Sequence, residues 1–162
     1  MSRFQLFAAL LLLLPSAPSA QQPRSYTAVV THVSDGDTVW VRPARGGARV
    51  PVRLLDIGAP RVCPRTGQQS RDALARQVLR REVTIEEPGR DDYGRVLARL
   101  HRSGQDVGEQ LVAEGHAWSY RFRNQPGPYH AQEKQARQAR RGLWAGGHPL
   151  GPRSFRRVHG AW

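Results

Sequence analysis

Two aspartates flank a glycine in the run Ser34-Asp35-Gly36-Asp37-Thr38. Glycine permits a positive φ and aspartate bonds nearby backbone amides, so these residues predict a tight acidic turn. Read alone, Asp35 and Asp37 are both turn residues. Three further features can act with this turn: Arg53, the exit Asp56-Ile57-Gly58-Ala59-Pro60-Arg61, and Asp92-Tyr93-Gly94-Arg95. A guanidinium fork can bond both charged oxygens of a phosphodiester, and fixed cations matter most as charge builds in a transition state. Together the residues predict a site for phosphodiester groups, those of nucleic acid.

The charge of the whole chain agrees with such a ligand. Of 162 residues, 25 are Lys or Arg against 13 Asp or Glu, a formal charge of +12, and Lys134 is the one lysine. This excess predicts attraction to a polyanion, whether nucleic acid, an anionic membrane surface or acidic polysaccharide. The six histidines include no pair at i and i+4, so a zinc site is not expected. The single cysteine, Cys63, excludes an internal disulfide and reads as a partly buried thiol, with a bridge between two chains as the alternative.

Residues 1–20 read as an export signal: Arg3 supplies the positive start, residues 4–14 are mostly apolar, and small residues follow. The apolar run falls short of the roughly 20 residues a membrane helix needs, so cleavage and export to the periplasm or beyond are expected, without a membrane span. The remainder suits one domain, expected as a monomer.

Strand-like alternation covers residues 26–33, 38–42 and 49–55, with hairpin chemistry at Pro43-Ala44-Arg45-Gly46-Gly47. Over 66–81 the period becomes helical, with Leu74 and Val78 four apart and Ala75 and Leu79 four apart. Two strands follow at 82–86 and 96–100. Asp106 and Glu109 open a short helix that Gly115 closes, and a last helix covers 129–141. Leu143 and Trp144 fold back as an apolar clasp, Trp118 belongs to the core, and Arg137, Arg140 and Arg141 form a solvated helix face. Residues 145–162, rich in Gly, Pro and Arg, predict a flexible basic tail able to add phosphate contacts. Three strands, helix, two strands and two helices make an α+β chain, and a five-stranded, partly open OB-type barrel fits that order.

At these residues, over 26–144 and including Gly142-Leu143-Trp144, the chain resembles the staphylococcal nuclease (thermonuclease-like) family. The resemblance implies an OB-type barrel with three helices and calcium-dependent hydrolysis of DNA and RNA phosphodiesters. It makes Asp37 the first metal carboxylate and Arg53 and Arg95 the arginines that grip the scissile phosphate. Tyr93 matches a tyrosine of the substrate pocket, and Tyr120 or Phe122 could stack on a base.

The family's second metal aspartate and its catalytic glutamate fall on Gly58 and Arg61, which can serve neither role. Calcium takes 6 to 8 oxygen ligands, so one aspartate binds it poorly, and Arg61 would repel it. Loss of the positioned base removes a further 10² to 10⁴-fold. Asp56 lies on the same face of an extended strand two residues earlier, roughly 6 to 7 Å from the needed place. The sequence therefore predicts an exported phosphodiester-binding domain with impaired cleavage. The alternatives are an active endonuclease whose metal is held by Asp37 and Asp56, and a binder of anionic envelope components.

Overall fold

A computed structural model describes residues 24–60, 64–121 and 125–146, with 154 and 157. The predicted export signal, Arg61, Cys63, Phe122 and almost all of the predicted tail lie outside the described residues. The described residues form eight strands: β1 (Arg24–Asp35), β2 (Thr38–Pro43), β3 (Val50–Leu54), β4 (Ile57–Gly58), β5 (Glu82–Arg90), β6 (Val96–Arg102), β7 (Gln105–Asp106) and β8 (Trp118–Ser119). The helices are α1 (Pro64–Val78), α2 (Val107–Ala113) and α3 (His130–Gln138), with a 3-10 turn at Gly142–Trp144.

Period-two alternation sends one face of each long strand inward. Val30, Val39, Val41, Val52, Ile85 and Val96 are all completely buried. They meet Leu74 and Val78 from α1 and Leu111 from α2 in one apolar cluster. The sheet runs β3-β2-β1-β5-β6 through antiparallel pairs, and a parallel pairing of β3 with β6 returns it to its start. The five-stranded barrel is thus closed, where the sequence predicts a partly open one. Closure removes the two exposed edges that would otherwise invite pairing with other chains.

Long β1 serves both β2 and β5 because its register with β2 shifts between Val30 and His32 and again between Val33 and Asp35. Such bulges bend and twist a strand. The second shift delivers the chain directly into the acidic turn.

Two helices end earlier than their apolar pattern does. Helix α1 stops at Val78, and Arg80 takes a left-handed φ of 58° so that its amide donates to the Val30 carbonyl at 2.9 Å. Arg140, at φ 50°, turns the chain similarly after α3. Helix α2 begins as predicted: Asp106 Oδ1 accepts from the amides of Gly108 (2.8 Å) and Glu109 (3.1 Å). The Glu109 carboxylate accepts from Gln132 instead of closing a reciprocal capping box.

The clasp packs Leu143 and Trp144 with Trp118 and Ala136. Arg137 is more than a solvated cation: its guanidinium lies 3.7 Å from the Trp144 ring centroid and pairs with buried Glu133 at 2.6 Å. Glu133 also accepts the Ser119 amide at 2.8 Å, tying α3 to β8 just before Tyr120.

Candidate phosphodiester site

The acidic turn is held from three sides. Asp35 Oδ1 accepts the Asp37 amide at 3.0 Å, the turn-forming role its sequence predicts. The Leu54 amide donates to the Asp37 carbonyl at 2.8 Å, fixing the turn against the end of β3. Gly36 packs so closely on Ala59 and Ser70 that a Cβ there would stand 2.6 Å from the Cβ atoms of both. Only glycine fits without displacing α1 or the β4 exit.

This clamp buries Asp37, which is 1% exposed. Arg53 is the partner of Thr38 across the β2–β3 ladder, and its Nη1 lies 2.7 Å from Asp37 Oδ1. Thr38 Oγ1 donates to the same oxygen at 3.0 Å, and the Ala59 amide reaches Oδ2 at 3.2 Å. Since Val52 and Leu54 point inward, Arg53 starts on the outer face of the barrel and bends toward the turn.

Arg95 joins the same outer face. Leu97 pairs with Arg53 in the parallel ladder, so Arg95 stands two positions back along the neighbouring strand, about one strand step away diagonally. Its Nε binds Asp91 Oδ2 at 2.7 Å, and its guanidinium lies 5.5 Å from the Tyr93 ring centroid. Partial desolvation opposes ionisation of Asp91. The Arg95 amide, the Arg95 guanidinium and the Tyr93 amide outweigh it and hold the carboxyl below its usual range. Because Arg95 commits Nε, its Nη fork makes no hydrogen bond or ion pair among the described residues. Tyr93 is 86% exposed. Tyr120 is also exposed, with its amide bonded to the Asp56 carbonyl at 2.7 Å.

Asp56 is not part of this cluster. It sits at φ 63°, a left-handed conformation that disfavours most side chains. Its Oδ2 accepts Arg99 Nη2 at 2.6 Å and Arg99 Nε at 2.9 Å. Nearby, burial and then a 2.7 Å bond to Asp106 Oδ2 push the Tyr129 phenol well above its usual range, so Tyr129 stays protonated and acts as donor. Asp56 thus belongs to a network of Arg99, Tyr129 and Asp106. Its sequence signal was hidden because Arg99 is remote in the chain and resembles any outward strand cation.

The calcium ion implied by resemblance has a poor donor set here. Gly58 has no side-chain oxygen, Asp56 is committed to Arg99, and both Asp37 oxygens already accept bonds. Among the described residues, no three Asp, Glu, His or Cys side chains group as metal ligands. A calcium ion needs several oxygens at once, so the described residues do not fit it.

The Asp56 geometry has a measurable consequence. An exposed ion pair contributes about 0.2–1 kcal/mol, while a left-handed L-residue costs roughly 1–2 kcal/mol. Asp56→Gly should therefore be neutral to slightly stabilising in chemical denaturation, whereas Asp56→Ala, which keeps the strain and loses the pair, should destabilise.

The model of the staphylococcal nuclease homologue family matches residues 51–146. An uncharacterized endonuclease of Haemophilus influenzae is 32% identical over 147 residues, covering 91% of this chain and 82% of that protein. Micrococcal nuclease of Shigella flexneri is 35% identical over 162 residues, covering 93% and 90%. Protein ParB of Escherichia coli is 34% identical over 161 residues, covering 93% and 88%. With its closed five-stranded barrel, three helices and this extent of similarity, the chain belongs to the staphylococcal nuclease homologue family.

Proposed function

We propose that this protein binds nucleic-acid phosphodiesters through Arg53 and Arg95 without a metal ion, and that metal-dependent cleavage is impaired. The observation that carries the reading is the Asp37–Arg53 pair, set where position 58 is glycine and the Asp56 carboxylate is turned to Arg99. A phosphate arriving at Arg53 meets a cation already oriented on the outer face, with the Arg95 fork one strand step away. Tyr93, beside Arg95, supplies an exposed ring for a base or sugar. The charge excess supports long-range capture of the same ligand.

In this reading the domain works outside the cytoplasm after removal of residues 1–20, and the basic residues beyond 145 add contacts that do not depend on sequence. The endonuclease names of its relatives favour a second reading, cleavage with a metal held by Asp37 and Asp56. The Asp56–Arg99 pair weighs against it, because a metal at Asp56 must first displace a cation bound through two nitrogens.

Fluorescence anisotropy of a labelled single strand tests the proposal. Binding should be equal in chelator and in calcium. It should weaken with salt at a log–log slope of about −1.4 or steeper, the value for two phosphate contacts on a single strand. Binding that requires calcium would contradict it.

A further inference from the structure

The outer face of β2 and β3 carries a feature the phosphate site does not use. Val39 and Val41 point inward, so Thr38, which is buried, and Trp40 and Arg42, which are exposed, lie on the opposite side of the strand. Thr38 stands opposite Arg53 and Trp40 opposite Pro51, while across β1 Trp40 faces His32 and Arg42 faces Val29. Along this face the order is therefore Arg53 beside Thr38, then Trp40, then Arg42, each about 7 Å further on at the rise of a β-strand.

A lone exposed tryptophan needs no explanation. This one is 37% exposed, lies between two arginines, and sits beside the Pro51 ring. Thr31 Oγ1 donates to the Trp40 carbonyl at 3.1 Å and fixes the backbone beneath it. Strands β2 and β3 contain no Asp or Glu, and Asp35, at the end of β1, is turned to the Asp37 amide. Acidic residues are instead found on β5, where Glu82 is exposed and Glu86 lies 3.4 Å from His101. The barrel surface is thus divided, basic and aromatic on β2–β3, acidic on β5.

We infer that Trp40 is a stacking platform for an unpaired base, so that a single strand of nucleic acid runs along β2 from Arg53 across Trp40 to Arg42. The inference rests on the phosphodiester reading above and deepens it by naming the substrate form. Cation, ring and cation at one-step intervals suit a strand whose phosphates and bases alternate, and a ring accepts any base because every base has a π-face. In a duplex the bases are already stacked on one another and cannot reach the indole.

The test compares the wild type, Trp40→Ala, Trp40→Phe and Arg42→Ala for binding a labelled twelve-nucleotide oligothymidylate and a duplex of equal length. Trp40→Ala should weaken single-strand binding by about 5- to 150-fold, the effect of one lost base–ring stack. Trp40→Phe should restore most of it, and duplex affinity should change less than twofold. Arg42→Ala should reduce the single-strand salt slope by about 0.7. Single-strand binding unchanged in Trp40→Ala, or equal losses on both ligands, would overturn the platform while leaving the phosphodiester reading standing. Trp40-dependent self-association in sedimentation, without an effect on oligonucleotide binding, would also overturn it in favour of a protein interface. A wild type that binds neither ligand would remove the phosphodiester reading itself.

Discussion

Installing two carboxylates, Gly58→Asp with Arg61→Glu, should raise calcium-dependent cleavage of single strands by about 10² to 10⁴-fold over the unmodified protein, the usual size of a general-base contribution. Position 58 can accept the change. Among the described residues, no atom beyond its chain neighbours lies within 4 Å of where its Cβ would be, and its φ is outside the left-handed region. It lies in β4, bridged to Trp118 and next to Ala59, whose amide already bonds Asp37 Oδ2. An aspartate there would add oxygen donors beside Asp37 without disturbing the core. Gly58→Asp alone should bring calcium binding, visible as calcium-dependent thermal stabilisation, without restoring the rate, because residue 61, which the family resemblance aligns with the catalytic glutamate, is still arginine. If the double variant cleaves no faster than the unmodified protein, missing carboxylates are not what limits this site.

Arg53→Ala should lower both stability and affinity, and the two effects have different causes. Asp37 is almost wholly buried, so removing its arginine takes an ion-pair partner from a desolvated carboxylate; at such sites the loss of all compensation costs about 3–5 kcal/mol. Thr38 Oγ1 and the Ala59 amide continue to bond the carboxylate, which places the expected cost near the lower end. For a domain of this size that lowers the melting temperature by about 10 °C. Arg95→Ala provides the contrast: the Asp91 side chain, 16% exposed, keeps the Tyr93 and Arg95 amides as donors when the guanidinium is lost, so the cost should stay at about 1 kcal/mol. Both variants should bind single strands more weakly, yet only Arg53→Ala should melt early. Equal melting temperatures would show that the Asp37–Arg53 pair contributes no stability.

What the sequence reveals about this fold follows the range of each interaction. Alternation of Val39 and Val41, and of Val52 and Leu54, reports the barrel interior because strand period is a local property. The predicted helix over 66–81 overran Val78 because Leu79 continues the apolar period; what ends α1 is the left-handed turn at Arg80, a residue type that gives no such signal. Likewise Ala139 and Arg140 favour helix, yet Arg140 turns so that the Leu143 amide can reach the Gly115 carbonyl at 2.8 Å. Barrel closure depends on parallel pairing of β3 with β6, which no local pattern encodes.

The site divides in the same way. Asp35 could be read as a turn former because its partner is two residues away. Asp37 and Arg53 were legible as a set through spacing, although their direct 2.7 Å contact was not. The commitment of Asp56 to Arg99 and the place of Trp40 between two outward arginines became visible only once strands distant in sequence were paired.

The most direct measurement follows a single strand, carrying a fluorophore and a quencher at its two ends, incubated with the unmodified protein in calcium and in chelator. The strand should be bound and stay intact at equal levels in both. Cleavage in calcium that chelator abolishes would contradict the proposed function.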